Sequence, residues 1–242
     1  MDENIQYVIV EDRYGNPLAV QMTLKKPKIS FSSSEIRALA ISVVILTAAF
    51  TIASLGGFPG ILGALVKGSL LSIAITLVIS FIAVSTGFVL HELAHKIVAI
   101  KFRCWAEYKM DLKGLFIALF ISLLGLLFAS PGAVMIYGNL DRRANGIVSA
   151  AGPLTNLLLA LIFFGLAISG MISNTIAGFL ILYVFLPVAQ INTLLAVFNM
   201  LPIYPLDGSK VWKWNKVAYI VLALIALAFA LITYFPKILF NI

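Results

Sequence analysis

Charge is scarce in this sequence. Only 11% of its 242 residues are charged and only ten are acidic, against roughly 25% charged in a soluble domain. At 62% hydrophobic, the chain has too few polar groups to cover a water-facing surface, and a soluble globular domain is excluded. One cysteine, Cys104, leaves no partner for an internal disulfide, so the fold does not depend on an oxidising compartment. The first 35 residues carry Asp2, Glu3, Glu11 and Asp12, which is the wrong chemistry for a signal peptide. Histidine is the scarcest of the metal-binding side chains after cysteine, with two in the chain, and both fall in one short string.

What the chain has instead is apolar runs. A hydrocarbon core roughly 30 Å thick is crossed by about 17–25 apolar residues. Five stretches qualify, at about 36–57, 69–101, 146–170, 176–200 and 217–235, and a sixth at 114–130 is shorter. They predict an α-helical polytopic membrane protein with about five transmembrane helices, in a lipid bilayer. Ahead of them, Val8-Ile9-Val10 and Leu18 to Leu24 flank Tyr14-Gly15-Asn16-Pro17 and predict a small β-hairpin within residues 1–31. Residues 32–242 then form the membrane domain, opened by Ser32 and Glu35 at capping-box spacing. Glycine and alanine inside the spans serve close helix packing, Pro187 marks a kink, and Trp212 and Trp214 anchor at the headgroup level.

The net charge of +7 is unevenly spread. Basic residues gather at Arg13, Lys25, Lys26, Lys28 and Arg37, at Lys96, Lys101, Arg103, Lys109 and Lys113, at Arg142 and Arg143, and at Lys210, Lys213 and Lys216. Only Lys67 and Lys237 stand apart. Membrane orientation explains this better than a nucleic-acid partner, and no nucleic acid is expected: by the positive-inside rule all four groups face the cytoplasm. A single crossing by 114–130 would put the last two groups outside. Gly114 to about Phe128 is therefore expected to enter the membrane or lie against it as a re-entrant element. Ala129-Ser130-Pro131-Gly132 then turns it back into an extended piece, Ala133 to Gly138. The amino terminus of this multi-pass cell-membrane protein is expected in the cytoplasm and the carboxyl terminus outside.

Both histidines lie in His91-Glu92-Leu93-Ala94-His95. On a helix the imidazoles share one face, one turn apart, and Glu92 stands about 100° around the axis, free to act as a base. This is the HExxH signature of zinc hydrolases, here directly after an uncharged run, Ser69 to Leu90, that leads into it. A zinc site of this kind needs a third protein ligand and keeps one position open. The acids beyond His95 are Glu107, Asp111, Asp141 and Asp207. Asp207 stands out, in Asn199-Met200-Leu201-Pro202-Ile203-Tyr204-Pro205-Leu206-Asp207-Gly208, where two prolines break the preceding helix and a glycine permits a tight turn. In the expected topology that break lies at the same depth as His91 and His95.

These motifs resemble the site-2 protease family of intramembrane zinc metalloproteases, over roughly residues 69–215, in a minimal form without PDZ or CBS domains. HExxH is followed by a small residue, Ala99; the asparagine, two prolines and Leu-Asp-Gly are matched from Asn199 to Gly208. Ala151-Gly152-Pro153-Leu154-Thr155-Asn156 looks like the motif of the middle core span. The resemblance implies one zinc ion held by His91, His95 and Asp207, with Glu92 as catalytic base.

The residues then suggest how such an enzyme would work. Asn199 is the candidate donor to the developing oxyanion, with Asn156 second. Asn192 and Asn199 are seven apart and place one helix face along the cavity. A transmembrane protein substrate must be unwound, and the extended piece with Gly132, Ala133 and Met135 offers an edge for it to pair with. Asn156 also counts among the substrate-binding candidates. Two other classes compete with an endopeptidase cutting near the cytoplasmic face. One is an inactive zinc-binding membrane chaperone or regulator of the same fold, for which a free Glu92 has no use. The other is a divalent-metal transporter, which would need an acidic relay across the other leaflet.

Overall fold

The computed structural model describes residues 5–11, 17–24, 29–127, 130–173 and 175–235, the first two segments as backbone only. β1 (Ile5–Glu11) and β2 (Pro17–Leu24) pair antiparallel with Val8 opposite Gln21. The expected hairpin is thus present, while its turn at Gly15-Asn16 lies outside the described residues.

α1 (Ser33–Ser54) starts where Ser32 accepts the Glu35 backbone N–H at 3.0 Å. Only half of the expected capping box forms, because the Glu35 carboxylate is drawn to Lys96 and to the backbone of Tyr108 instead. A corner at Gly56 and Gly57, both with positive φ, leads into a short apolar helix, α2 (Gly57–Val66), which the run lengths did not foretell. α3 (Leu70–Val84) passes through a π-helical turn, Ser85–Val89, into α4 (Leu90–Lys101). Wide turns of this type are rare and concentrate at functional sites.

The chain then makes an excursion of β3 (Trp105–Met110), α5 (Leu112–Ser122) and β4 (Gly132–Tyr137). β3 and β4 pair antiparallel, with Trp105 opposite Tyr137 and Met110 opposite Gly132. A strand at 105–110 was not expected, since only the piece after Pro131 reads as extended in the sequence. The excursion ends where it began, as a Cβ on Gly138 would lie 2.7 Å from Cys104 Sγ. Its far tip reaches the opposite end of α1, where the Phe58 N–H donates to Leu123 O at 2.8 Å. α5, at 11 residues, is too short to span a bilayer.

α6 (Arg142–Ile172) is capped by Asp141, and α7 (Ile176–Asn199) by Thr175. α8 (Asp207–Trp214) and α9 (Lys216–Tyr234) complete the described chain. Among the described residues, five helical segments are long and apolar enough to cross a membrane: Ser33–Ser54, Leu70–Lys101, Arg142–Ile172, Ile176–Asn199 and Lys216–Tyr234. Each overlies one of the five expected runs.

Polarity is arranged inside out. On α6, Leu154, Leu158, Leu161 and Ile162 are exposed, while Asn156 on the same helix is fully buried, as are Asn192 and Thr193 on α7. An apolar exterior around buried polar side chains suits a hydrocarbon solvent, and the protein is a polytopic helical membrane protein. Small residues let the helices approach: Ala83, Ala99, Ala160, Ala189 and Ala196 have no exposed surface. One member of the basic groups is out of place for a topology signal. Lys96 is buried and bonded to Glu35 at 2.5 Å, so its charge is neutralised inside the protein.

Candidate metal centre

α4 carries His91 and His95 on one face, as their spacing requires, with ring centroids 4.7 Å apart. Their Nε2 atoms approach to 3.0 Å, and Asp207 Oδ2 lies 3.3 Å from His91 Nε2 and 3.0 Å from His95 Nε2. All three residues are buried. Three lone-pair donors facing one another so closely repel unless a cation or protons lie among them. Tetrahedral zinc with ligands at ~2.0–2.1 Å spaces neighbouring donors about 3.3 Å apart, which this triangle approximates with its fourth position open. Among the described residues, no other group of three His, Cys, Asp or Glu converges in this way.

α6 is the platform for the site. Asn156 Oδ1 accepts from His91 Nδ1 at 2.5 Å, and Val148 O accepts from His95 Nδ1 at 2.8 Å. With both Nδ1 atoms so engaged, each Nε2 is left as a lone-pair donor toward the metal position. Between these two contacts lies Gly152, where a Cβ would fall 2.5 Å from the Nε2 atoms of both histidines. Residues 148, 152 and 156 are one helical turn apart, so a single stripe of α6 supports both imidazoles.

Asp207 is brought under the histidines by α8. The Gly146–Trp214 contact docks α8 on α6, since a Cβ at Gly146 would lie 2.2 Å from Trp214 Cβ, and Arg142 Nε donates to Lys213 O. Trp214 is thus a packing residue, whereas Trp212 is exposed and edge-on to Tyr219. Burial by itself would push the Asp207 carboxyl up, and a cationic partner, either protonated His95 and His91 or a metal ion among the three, holds it well below the usual carboxylate range. It therefore faces them as an anion. Its other oxygen, Oδ1, is 3.4 Å from Lys210 Nζ.

The metal group opens on a cavity of about 580 Å³, lined from Lys109 and Lys210 to apolar side chains midway along α1, Leu46 and Phe50. Glu92 lies on its wall, with Oε2 accepting the Val134 N–H at 3.1 Å. Gly132, Ala133, Met135 and Asn199 line it as well. Asn199 donates through Nδ2 to Leu195 O, which uses one of its two amide hydrogens.

Asn156, a candidate oxyanion donor and substrate-binding residue, and Asn192, expected on the cavity face from its seven-residue spacing to Asn199, both lie off the cavity lining. Asn156 is fully buried, and its Nδ2 donates to Gly87 O and to Asn192 Oδ1. Every polar atom of Asn156 faces protein, so its position orients His91 and holds no group free for a substrate or an oxyanion. Asn192 stands behind Asn156 and not on the cavity face. Reading the sequence also missed Gly152 as the seat of the imidazoles, the Val148 carbonyl, Lys210, and the Glu35–Lys96 pair. Of these only Gly152 left a local signal, a glycine one residue before a proline inside an apolar run.

No family model matches the chain, and no solved structure does. Over 149 residues it is 42% identical to "Putative zinc metalloprotease MJ0611" of Methanocaldococcus jannaschii, covering 61% of this chain and 75% of that one. "Putative zinc metalloprotease YwhC" of Bacillus subtilis is 32% identical over 157 residues, 57% of this chain and 66% of its own length. "Zinc metalloprotease MJ0392" of Methanocaldococcus jannaschii is 24% identical over 145 residues, 60% of this chain and 36% of its own. With most of the first relative's length covered at that identity, the chain belongs to its family, the zinc metalloproteases.

Proposed function

We propose that this zinc metalloprotease is an intramembrane endopeptidase of the site-2 protease type, hydrolysing peptide bonds of transmembrane substrates near the cytoplasmic face of the cell membrane. One observation carries the reading. His91, His95 and Glu92 sit on a helical segment apolar enough to cross a membrane, Asp207 at the start of α8 converges on them, and the group opens on a cavity. An ionisable cluster in such a setting is costly without a function.

His91, His95 and Asp207 are the metal ligands in this reading. Zinc bound there supplies Lewis acidity to the scissile group. The Glu92 carboxylate takes a proton from the attacking water as its oxygen bonds to the peptide carbon, then passes that proton to the leaving amine as the C–N bond breaks. Asn199 offers its second amide N–H to the developing oxyanion. The substrate is held as a strand along the outer edge of β4, where extended backbone replaces the hydrogen bonds its helix gives up.

In this reading the groups serving that edge are those not bonded to β3. Val134 donates to Glu92 and Tyr108 to Glu35, so this opposed pair does not bond across the sheet. By antiparallel alternation Ala133, Met135 and Tyr137 bond to β3, while Gly132, Val134 and Ile136 face outward.

The deciding experiment presents single-span reporter proteins to the purified enzyme in detergent and assays bound zinc alongside. The wild type is expected to cut within the span, and Glu92→Gln to keep its zinc and cut nothing. A zinc-loaded wild type that cuts no reporter in the panel would turn the assignment toward a non-proteolytic zinc protein.

A further inference from the structure

The buried pair of Glu35 and Lys96 is not among the metal ligands, yet it is tied to Glu92 by a closed ring of contacts. Lys96 Nζ lies 2.5 Å from Glu35 Oε2, and both side chains are 2% exposed, with the Phe31 ring covering the ammonium at 4.1 Å. Desolvation offsets most of the attraction in such a pair, so net stability is a weak reason for its presence. Its geometry offers a better one. Glu35 Oε1 accepts the Tyr108 N–H on the outer edge of β3 at 2.9 Å. Tyr108 stands directly opposite Val134, whose N–H meets Glu92 on the outer edge of β4. Glu92 and Lys96 are four residues apart on α4, one turn along the same face. Two carboxylates therefore grip the two-stranded sheet from both edges at one rung, and α4 provides the first and fixes the second through Lys96.

We propose that Glu35 and Lys96 are positioning residues for proteolysis. They hold the sheet at the height where the outer edge of β4 presents a bound peptide to Glu92 and the metal group. A strand that slips by one residue turns every side chain to the other face and moves each outward N–H along the edge. The pair thereby sets the bond that is cut, and its loss shifts the cut as well as slowing it. This rests on the endopeptidase reading above.

Because apolar residues of similar size often replace a buried ion pair without loss of stability, the test is Glu35→Leu with Lys96→Met in one protein. Zinc content, kcat, KM and the cleaved bond, read by mass spectrometry, are compared with the wild type on one single-span reporter. The double variant is expected to fold and bind zinc, lose roughly 10²-fold in kcat as misplaced reacting groups do, and cut at altered positions. Glu35→Gln, which keeps an acceptor for the Tyr108 N–H, should preserve the wild-type cut. Wild-type kcat and cleavage site in the zinc-loaded double variant would overturn the inference while leaving the endopeptidase reading intact. A wild type that cuts nothing would remove both. Should the double variant not fold, Glu35→Gln against Glu35→Met decides: a shifted cut in the methionine variant alone supports the pair's role, and identical products overturn it.

Discussion

Gly152 lies against His91 so closely that a methyl group on it would stand 2.5 Å from the imidazole Nε2. The same methyl would stand 2.5 Å from His95 Nε2, so it would occupy the space the two donors share. Gly152→Ala is therefore expected to abolish zinc binding while the helical content persists. Metal analysis of the purified variant beside its circular dichroism checks this, and a fully zinc-loaded Gly152→Ala would contradict the geometry.

Asn156 acts on the same histidine from the other ring nitrogen. Losing a partner that orients a metal-bound imidazole typically costs 10–100-fold in metal affinity, and a loss of about that size is expected for Asn156→Leu. Asn192 touches the ligand only through Asn156, so Asn192→Leu should weaken binding less. Competition against a zinc chelator orders the two, and an equal or reversed order would count against the chain of contacts.

The proposed substrate edge has its own test. Proline at Met135 or Tyr137 would strike the bonds to β3, whereas Ile136→Pro removes an outward N–H and leaves the ladder. Ile136→Pro should reduce turnover with zinc content unchanged, and Met135→Pro should also lower thermal stability. Undiminished turnover in Ile136→Pro would remove strand pairing from the mechanism.

Placement of Asp207 depends on the seat of α8 against α6. A side chain at Gly146 would run into Trp214, 2.2 Å from its Cβ, and force α8 away. Zinc affinity is expected to fall in Gly146→Val and to recover in part when Trp214→Ala is added. Calorimetric zinc titration of the single and double variants measures that coupling, and additive losses would show that α8 is held by other means.

How much of this was legible beforehand varies with the range of the interaction. The five membrane runs and the His91, Glu92 and His95 spacing depend on length and helical period, which are local. The expectation that 114–138 turns back rests on charge, because a single crossing would put Arg142 and Arg143 on the wrong side. β3 was not legible, since Trp105 to Met110 gains its strand partner only when β4 comes back alongside it. Nor was the partner of Lys96, 61 residues away on another helix, so its charge read as a topology signal.

By itself the sequence determined a helical membrane protein with a two-histidine motif, because hydrophobic run length and the 3.6-residue period act within one segment. Only the tertiary structure decided that Asp207 meets both histidines, that Asn156 serves His91 and leaves the cavity, and that Glu35 and Glu92 grip one sheet from opposite edges. Those relations join residues whose separation along the chain carries no period. They arise from which helix faces pack together, and small residues such as Gly146 and Gly152 decide how close those faces come.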